Sequence, residues 1–157
     1  MKGESIQDDV DTLGGVAGAI KGGKGNREYV YAYIAASVAK GTPYILTFDG
    51  DEATNPKGAA PATLAVYQLV IIVPELTAAA GFFWCQYKGD AEVLCDGTTD
   101  IAKDDFLELL NAETALVKDA TTRSTNSVAI AQEAYTDAAD ALTNVYLLGD
   151  RVIIAAS

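Results

Sequence analysis

Few residues in this chain have both the type and the spacing to do chemistry. Gly18-Ala19-Ile20-Lys21-Gly22-Gly23-Lys24 fits the G-x-x-x-x-G-K pattern of a phosphate-cradling loop, but Gly25 stands where Ser or Thr would hold magnesium. An acidic, polar segment precedes it instead of a buried strand, so nucleotide binding is not expected. The polar stretch Asp49–Gly58 carries Asp49, Asp51 and Glu52, whose oxygens suit calcium. It lacks the EF-hand spacing and the bidentate Glu that would close such a loop, and it reads as a solvated hairpin tip. Histidine is absent, which removes the commonest general base and metal ligand. Cys85 and Cys95 flank Gly89-Asp90 and face each other only in one register; they read as reduced, buried thiols acting as small core hydrophobes. No spacing among the 22 acidic residues singles out a pair for glycoside cleavage. The remaining candidate is a row, Tyr29, Tyr31 and Tyr33, alternating with Val30, Ala32 and Ile34 and therefore lying on one face of a strand. Such a row suits a half-buried interface, or stacking on sugars. No catalytic residue, metal or cofactor is expected.

The elements that must position these residues are mostly strands. The central stretch 78–111 holds the only Trp, three of the four Phe and both Cys. Its Phe82–Tyr87 alternation, the Lys88-Gly89-Asp90 interruption and Glu92–Cys95 read as a β-hairpin. Glu28–Ile34, Tyr44–Phe48 and Phe106–Leu110 read as further strands, and Thr63–Val73 as one buried on both faces and ended by Pro74. Asn111–Asn126 reads as turn. Ser127–Ala134 reads as strand, with a short helix over 131–142 as the alternative. Thr143–Leu148, Gly149-Asp150 and Arg151–Ala155 read as a closing hairpin. An internal echo accompanies this grammar. Val38-Ala39-Lys40-Gly41-Thr42 is matched 63 residues on by Ile101-Ala102-Lys103-Asp104-Asp105, and Lys88-Gly89-Asp90 by Leu148-Gly149-Asp150. The expected fold is mainly β, a small antiparallel barrel or sandwich spanning 28–157.

Residues 1–27 form a separate expectation. Ile6, Val10, Leu13, Ala17 and Ile20 recur at alternating spacings of four and three, a helical or heptad-like period. Ser5 with Asp8 has the form of a capping box, but Gly14, Gly15 and Gly18 weaken any free helix. The stretch reads as an N-terminal arm, extended or partly helical, that orders on a partner through Ile6, Val10, Leu13, Val16 and Ile20. The net charge of −11 disfavours a nucleic-acid partner. No apolar run reaches the ~20 residues of a membrane helix, and MKGESIQDD lacks the apolar core of a signal peptide. A soluble chain made in the cytoplasm is expected.

A family resemblance rests on Ala39-Lys40-Gly41 before a strand, Ala80-Gly81-Phe82-Phe83-Trp84 into Lys88-Gly89, Ile101–Leu107, Ser127–Ala131, and Tyr146-Leu147-Leu148-Gly149. In this order they resemble the small β-rich decoration, or cement, proteins of tailed-bacteriophage capsids. The likeness covers roughly residues 28–155, and Asp104 stands where it expects a second glycine. It implies a non-enzymatic virion protein on the outer capsid surface. It further implies the major capsid protein as partner, and trimers. The rival from another class is a fibre-base or host-glycan adhesion domain using the tyrosine row. An enzyme of the trimeric deoxyuridine triphosphatase type would need a glycine-rich Asp/Tyr motif and a mobile Ser/Gly tail, and the chain ends in Arg151-Val152-Ile153-Ile154-Ala155-Ala156-Ser157 instead.

Overall fold

The computed structural model describes residues 19–35, 37–48, 56–61, 68–73, 79–110, 112–120, 123–124, 126–149 and 151–152. They form eleven strands and no helix: β1 Ile20–Gly22, β2 Glu28–Ile34, β3 Pro43–Thr47, β4 Lys57–Ala59, β5 Gln68–Ile72, β6 Gly81–Cys95, β7 Phe106–Glu108, β8 Val117–Lys118, β9 Ser127–Ala131, β10 Ala141–Leu148 and β11 Arg151–Val152.

The hairpin expected around Gly89 does not form, and Gly81–Cys95 runs on as one strand of 15 residues. Its first half pairs with β2 (Ile34↔Gly81 to Glu28↔Lys88) and its second with β10 (Leu148↔Lys88 to Ala141↔Cys95), both antiparallel. Between the Tyr29↔Gln86 and Glu28↔Lys88 pairs the register shifts, leaving Tyr87 as the extra residue of a bulge. Gly89 takes φ +89 beside it, and a Cβ there would lie 2.6 Å from the Asn26 carbonyl oxygen. The buried amide of Gln86 donates to the Lys88 and Asp90 carbonyls at 3.0 and 2.7 Å, so the displaced backbone keeps its hydrogen bonds. A glycine that supplies positive φ serves a bulge as well as a turn.

The two halves of β6 belong to two rings. In the first, β2 pairs β4 in parallel, β4 pairs β3, β3 pairs β5, β5 pairs β6 and β6 returns to β2, which closes a five-stranded barrel. The second repeats the order. The end of β6 bridges Leu116 in parallel beside β8; β8 pairs β7, β7 pairs β9, β9 pairs β10, and β10 returns to β6. The local hydrogen bonds repeat too. In one ring Thr42 N donates to Ala39 O while Gly41 N donates to Val73 O and Val73 N to Thr42 O. In the other, Asp105 N donates to Ala102 O, Asp104 N to Ala131 O and Ala131 N to Asp105 O. The sequence echo is thus matched by a duplicated β-unit of about 60 residues, the barrel form of the expected fold. Asp104 adopts φ +72 against +80 for Gly41, so the turn keeps its shape without the glycine. Relief of that left-handed conformation leads us to expect that Asp104→Gly is tolerated or mildly stabilising, whereas Asp104→Val costs about 1–2 kcal/mol; urea unfolding of the two variants checks this.

One core cluster fills the first barrel with Val30, Ala32, Ile34, Ile71, Val73 and Cys85. The larger cluster joins Val93, Cys95, Leu107, Leu109, Leu116 and Val145 to Ile45, Val70 and Ile72, residues that alternate with those facing the first barrel. This explains the continuous apolar run at β5, which is buried on both faces as expected.

Further expectations are corrected. The tip Asp49–Gly58 contributes Lys57 and Gly58 to β4, and the turn-like 111–126 contains β8. Among the described residues the closing hairpin is absent: β10 is flanked by β6 and, over Val145–Leu147, by β9, and β11 pairs β5 instead. Of the alternatives for 131–142 the helix is not formed, since β9 ends at Ala131, Tyr135 bridges Ile101 and β10 begins at Ala141.

Candidate functional site

Strand alternation sends Val30, Ala32 and Ile34 into the first barrel and Tyr29, Tyr31 and Tyr33 outward. The register places Phe82 opposite Tyr33, Trp84 opposite Tyr31 and Gln86 opposite Tyr29. Tyr31 stacks on Phe82 (centroids 5.4 Å apart, 18° between planes) and tilts against Trp84 at 5.0 Å; Phe82 meets Tyr33 edge-on at 5.5 Å. Lys21 of β1 caps the group, its ammonium 4.3 Å from the Trp84 centroid and 5.7 Å from that of Tyr29. The tyrosine row is therefore brought together, but Tyr31, 7 % exposed, is its buried centre, and Tyr29 and Tyr33 are half-buried.

The second barrel shows that this cluster is not a requirement of the fold. Asp90, Glu92 and Leu94 stand at the positions equivalent to the three tyrosines, and Leu142, Asn144 and Tyr146 at those of Phe82, Trp84 and Gln86. A barrel of the same pairing closes without the rings. Phe82, Trp84 and Lys21 were not singled out from the sequence. Their alternation was visible, but not the strand they would face.

Where β6 passes from one barrel to the other, its outer face floors a cleft of about 340 Å³. Arg27 and Tyr29 line it from the first barrel, Lys40 from the turn before β3, Asp90 and Glu92 from β6, and Gln132 and Asn144 from the second barrel. These side chains are held by one another or by their neighbours. Gln132 Nε2 donates to Asp90 Oδ1 at 2.6 Å, Lys40 pairs with Glu92, and Asn144 donates its backbone N–H and Nδ2 to Glu133 Oε1 at 2.9 and 3.0 Å. Those bonds hold the Glu133 carboxyl below the usual range. Arg27 has no ion-pair partner among the described residues. Nothing in the spacing of residues so far apart in the chain marked this cleft.

Beside the bulge, Tyr87 donates to Glu28 at 2.5 Å and Lys88 lies 3.3 Å from the same carboxylate. Both contacts hold Glu28 below its usual range, while desolvation and then the carboxylate push Tyr87 up to about 12. The two cysteines lie ten residues apart on one strand and cannot face each other; both are free and buried. Burial pushes Cys85 up to about 12 and Cys95 to about 11, so neither offers a thiolate near neutral pH. A thiol-labelling assay should find both unreactive in the native protein and both modified in about 6 M guanidinium; rapid native labelling would contradict their placement in the two cores.

Of the residues assigned to a docking arm, Ile6, Val10, Leu13 and Val16 lie outside the described residues. Ile20 lies on β1, an edge strand antiparallel to β2, and is 67 % exposed. The G-x-x-x-x-G-K stretch therefore contains an antiparallel edge strand, the wrong setting for a phosphate loop. Among the described residues no group of three or more acidic or cysteine side chains gathers to hold a metal ion, and no helix is long and apolar enough to cross a membrane. No protein-family model, curated protein or solved structure matches the chain.

Proposed function

We propose that this protein is a non-enzymatic capsid-decorating protein, binding the outer surface of an expanded phage head and stabilising it, with the major capsid protein as partner and trimers as the working form. The observation that carries this reading is the placement of β1. An exposed edge strand, tied to the barrel by its ladder with β2 and by Lys21 on Trp84, continues directly from the segment whose apolar residues recur at helical spacing. A cement protein needs a preorganised body, an arm that docks and a soluble surface that resists indiscriminate aggregation. Two closed rings leave few free strand edges among the described residues, and a net charge of −11 favours solubility. Ordering an arm costs more backbone entropy than one apolar stripe returns. Linked arms on a trimer overcome this through effective concentration, and main-chain pairing at a strand edge adds to it.

The test is co-sedimentation with expanded and unexpanded heads of the phage that encodes the chain. The truncation is placed before Ala19, because Ala19 O accepts from Tyr31 N and β1 is part of the sheet. We expect saturable binding to expanded heads, weakened at least about tenfold by removing residues 1–18, with the β circular dichroism retained. Absence of binding by the full-length chain would refute the assignment.

A further inference from the structure

The cleft between the barrels is built from both repeats, so it is a property of the tandem arrangement and of neither barrel alone. Its chemistry is balanced. Arg27 and Lys40 supply cations, Asp90 and Glu92 supply carboxylates, and Gln132 and Asn144 supply amides that donate and accept. An anionic ligand would meet both carboxylates and a chain of net charge −11; a cationic ligand would meet Arg27 and Lys40. A neutral polyhydroxylated ligand suits this mixed lining, because a hydroxyl can donate to a carboxylate and accept from a cation or an amide. The bonds from Gln132 to Asp90 and from Asn144 to Glu133, with the Lys40–Glu92 pair, hold the lining in place before any ligand arrives, which lowers the entropy lost on binding. Tyr29 adds a ring to the wall, and Arg27 lacks an ion-pair partner among the described residues. The volume of about 340 Å³ falls at the small end of ligand sites, roughly 300–1,000 Å³.

We infer that this cleft binds a neutral saccharide of one or two hexose units. The inference does not rest on capsid binding, which is read separately by sedimentation. The test uses the full chain on an array of neutral, sialylated and sulfated glycans, followed by ¹⁵N-resolved NMR titration with the best neutral hit at roughly 10 mM. The expected result is binding of a neutral glycan in preference to its sialylated form, with the largest shifts at the side-chain amides of Gln132 and Asn144. Arg27→Ala and the size-conserving Asp90→Asn should each weaken it by about tenfold or more while the unfolding midpoint stays unchanged. The proposal is overturned if no neutral glycan binds, if charged glycans are preferred, if the shifts map only to Trp84 and Phe82, or if both folded variants bind like wild type.

Discussion

Gly89→Ala should destabilise the protein by about 2–5 kcal/mol, combining roughly 1–2 for a side chain forced into the left-handed region with about 1–3 for overpacking. The crowding comes from backbone, which cannot swing aside. A Cβ at 89 would lie 2.6 Å from Asn26 O, 2.7 Å from Asn26 C and 2.8 Å from Arg27 Cα. The segment it strikes leads into β2, and the bulge it disturbs is where β6 leaves the first barrel for the second. Gly22→Ala is the control. It also sits in a strand, but its Cβ would meet nothing within 4 Å, so its effect should stay within about 0.5 kcal/mol. Urea unfolding of both variants decides the matter. Equal midpoints would mean that the passage of β6 between barrels does not depend on this close approach.

The second large effect tests the duplication through side-chain volume. At the parallel bridge closing the first barrel, Ile34 faces Gly58; at the corresponding bridge of the second, Cys95 faces Leu116. Large and small have changed places. A Cβ on Gly58 would lie 2.7 Å from Ile34 Cδ1 and 3.1 Å from Ile71 Cδ1, whereas Leu116 is wholly buried in the larger core. Gly58→Leu alone should therefore cost about 1–3 kcal/mol or more by overpacking. Ile34→Cys alone should cost about 2–4 kcal/mol through the cavity it leaves. Together they recreate the pair of the second barrel, and the double variant should be more stable than the sum of the singles by about 0.5–3 kcal/mol. A strictly additive cycle would mean that the two bridges are not equivalent in packing.

Local chemistry alone determined a good deal of this protein. Alternation put the three tyrosines on one face and Val30, Ala32 and Ile34 on the other. The uninterrupted apolar run before Pro74 marked a strand buried on both sides, and the Val38–Thr42 and Ile101–Asp105 echo marked the repeat. These properties follow from backbone geometry and side-chain period, which act over a few residues. The tertiary structure decided what pairs with what. Lys88-Gly89-Asp90 has the residues of a turn and of a bulge alike; β6 continues because β2 and β10 each claim one half of it. β11 goes to β5, while β10 is flanked by β6 on one side and by β9 on the other. The aromatic cluster and the cleft arise in the same way, from Lys21 meeting Trp84 and from Arg27 and Asn144, far apart in the chain, lining one cleft. A strand's sequence specifies which of its faces is apolar, but its hydrogen-bonding edges are the same backbone groups in every strand. The choice of neighbour is therefore made only when all the strands compete for the same edges.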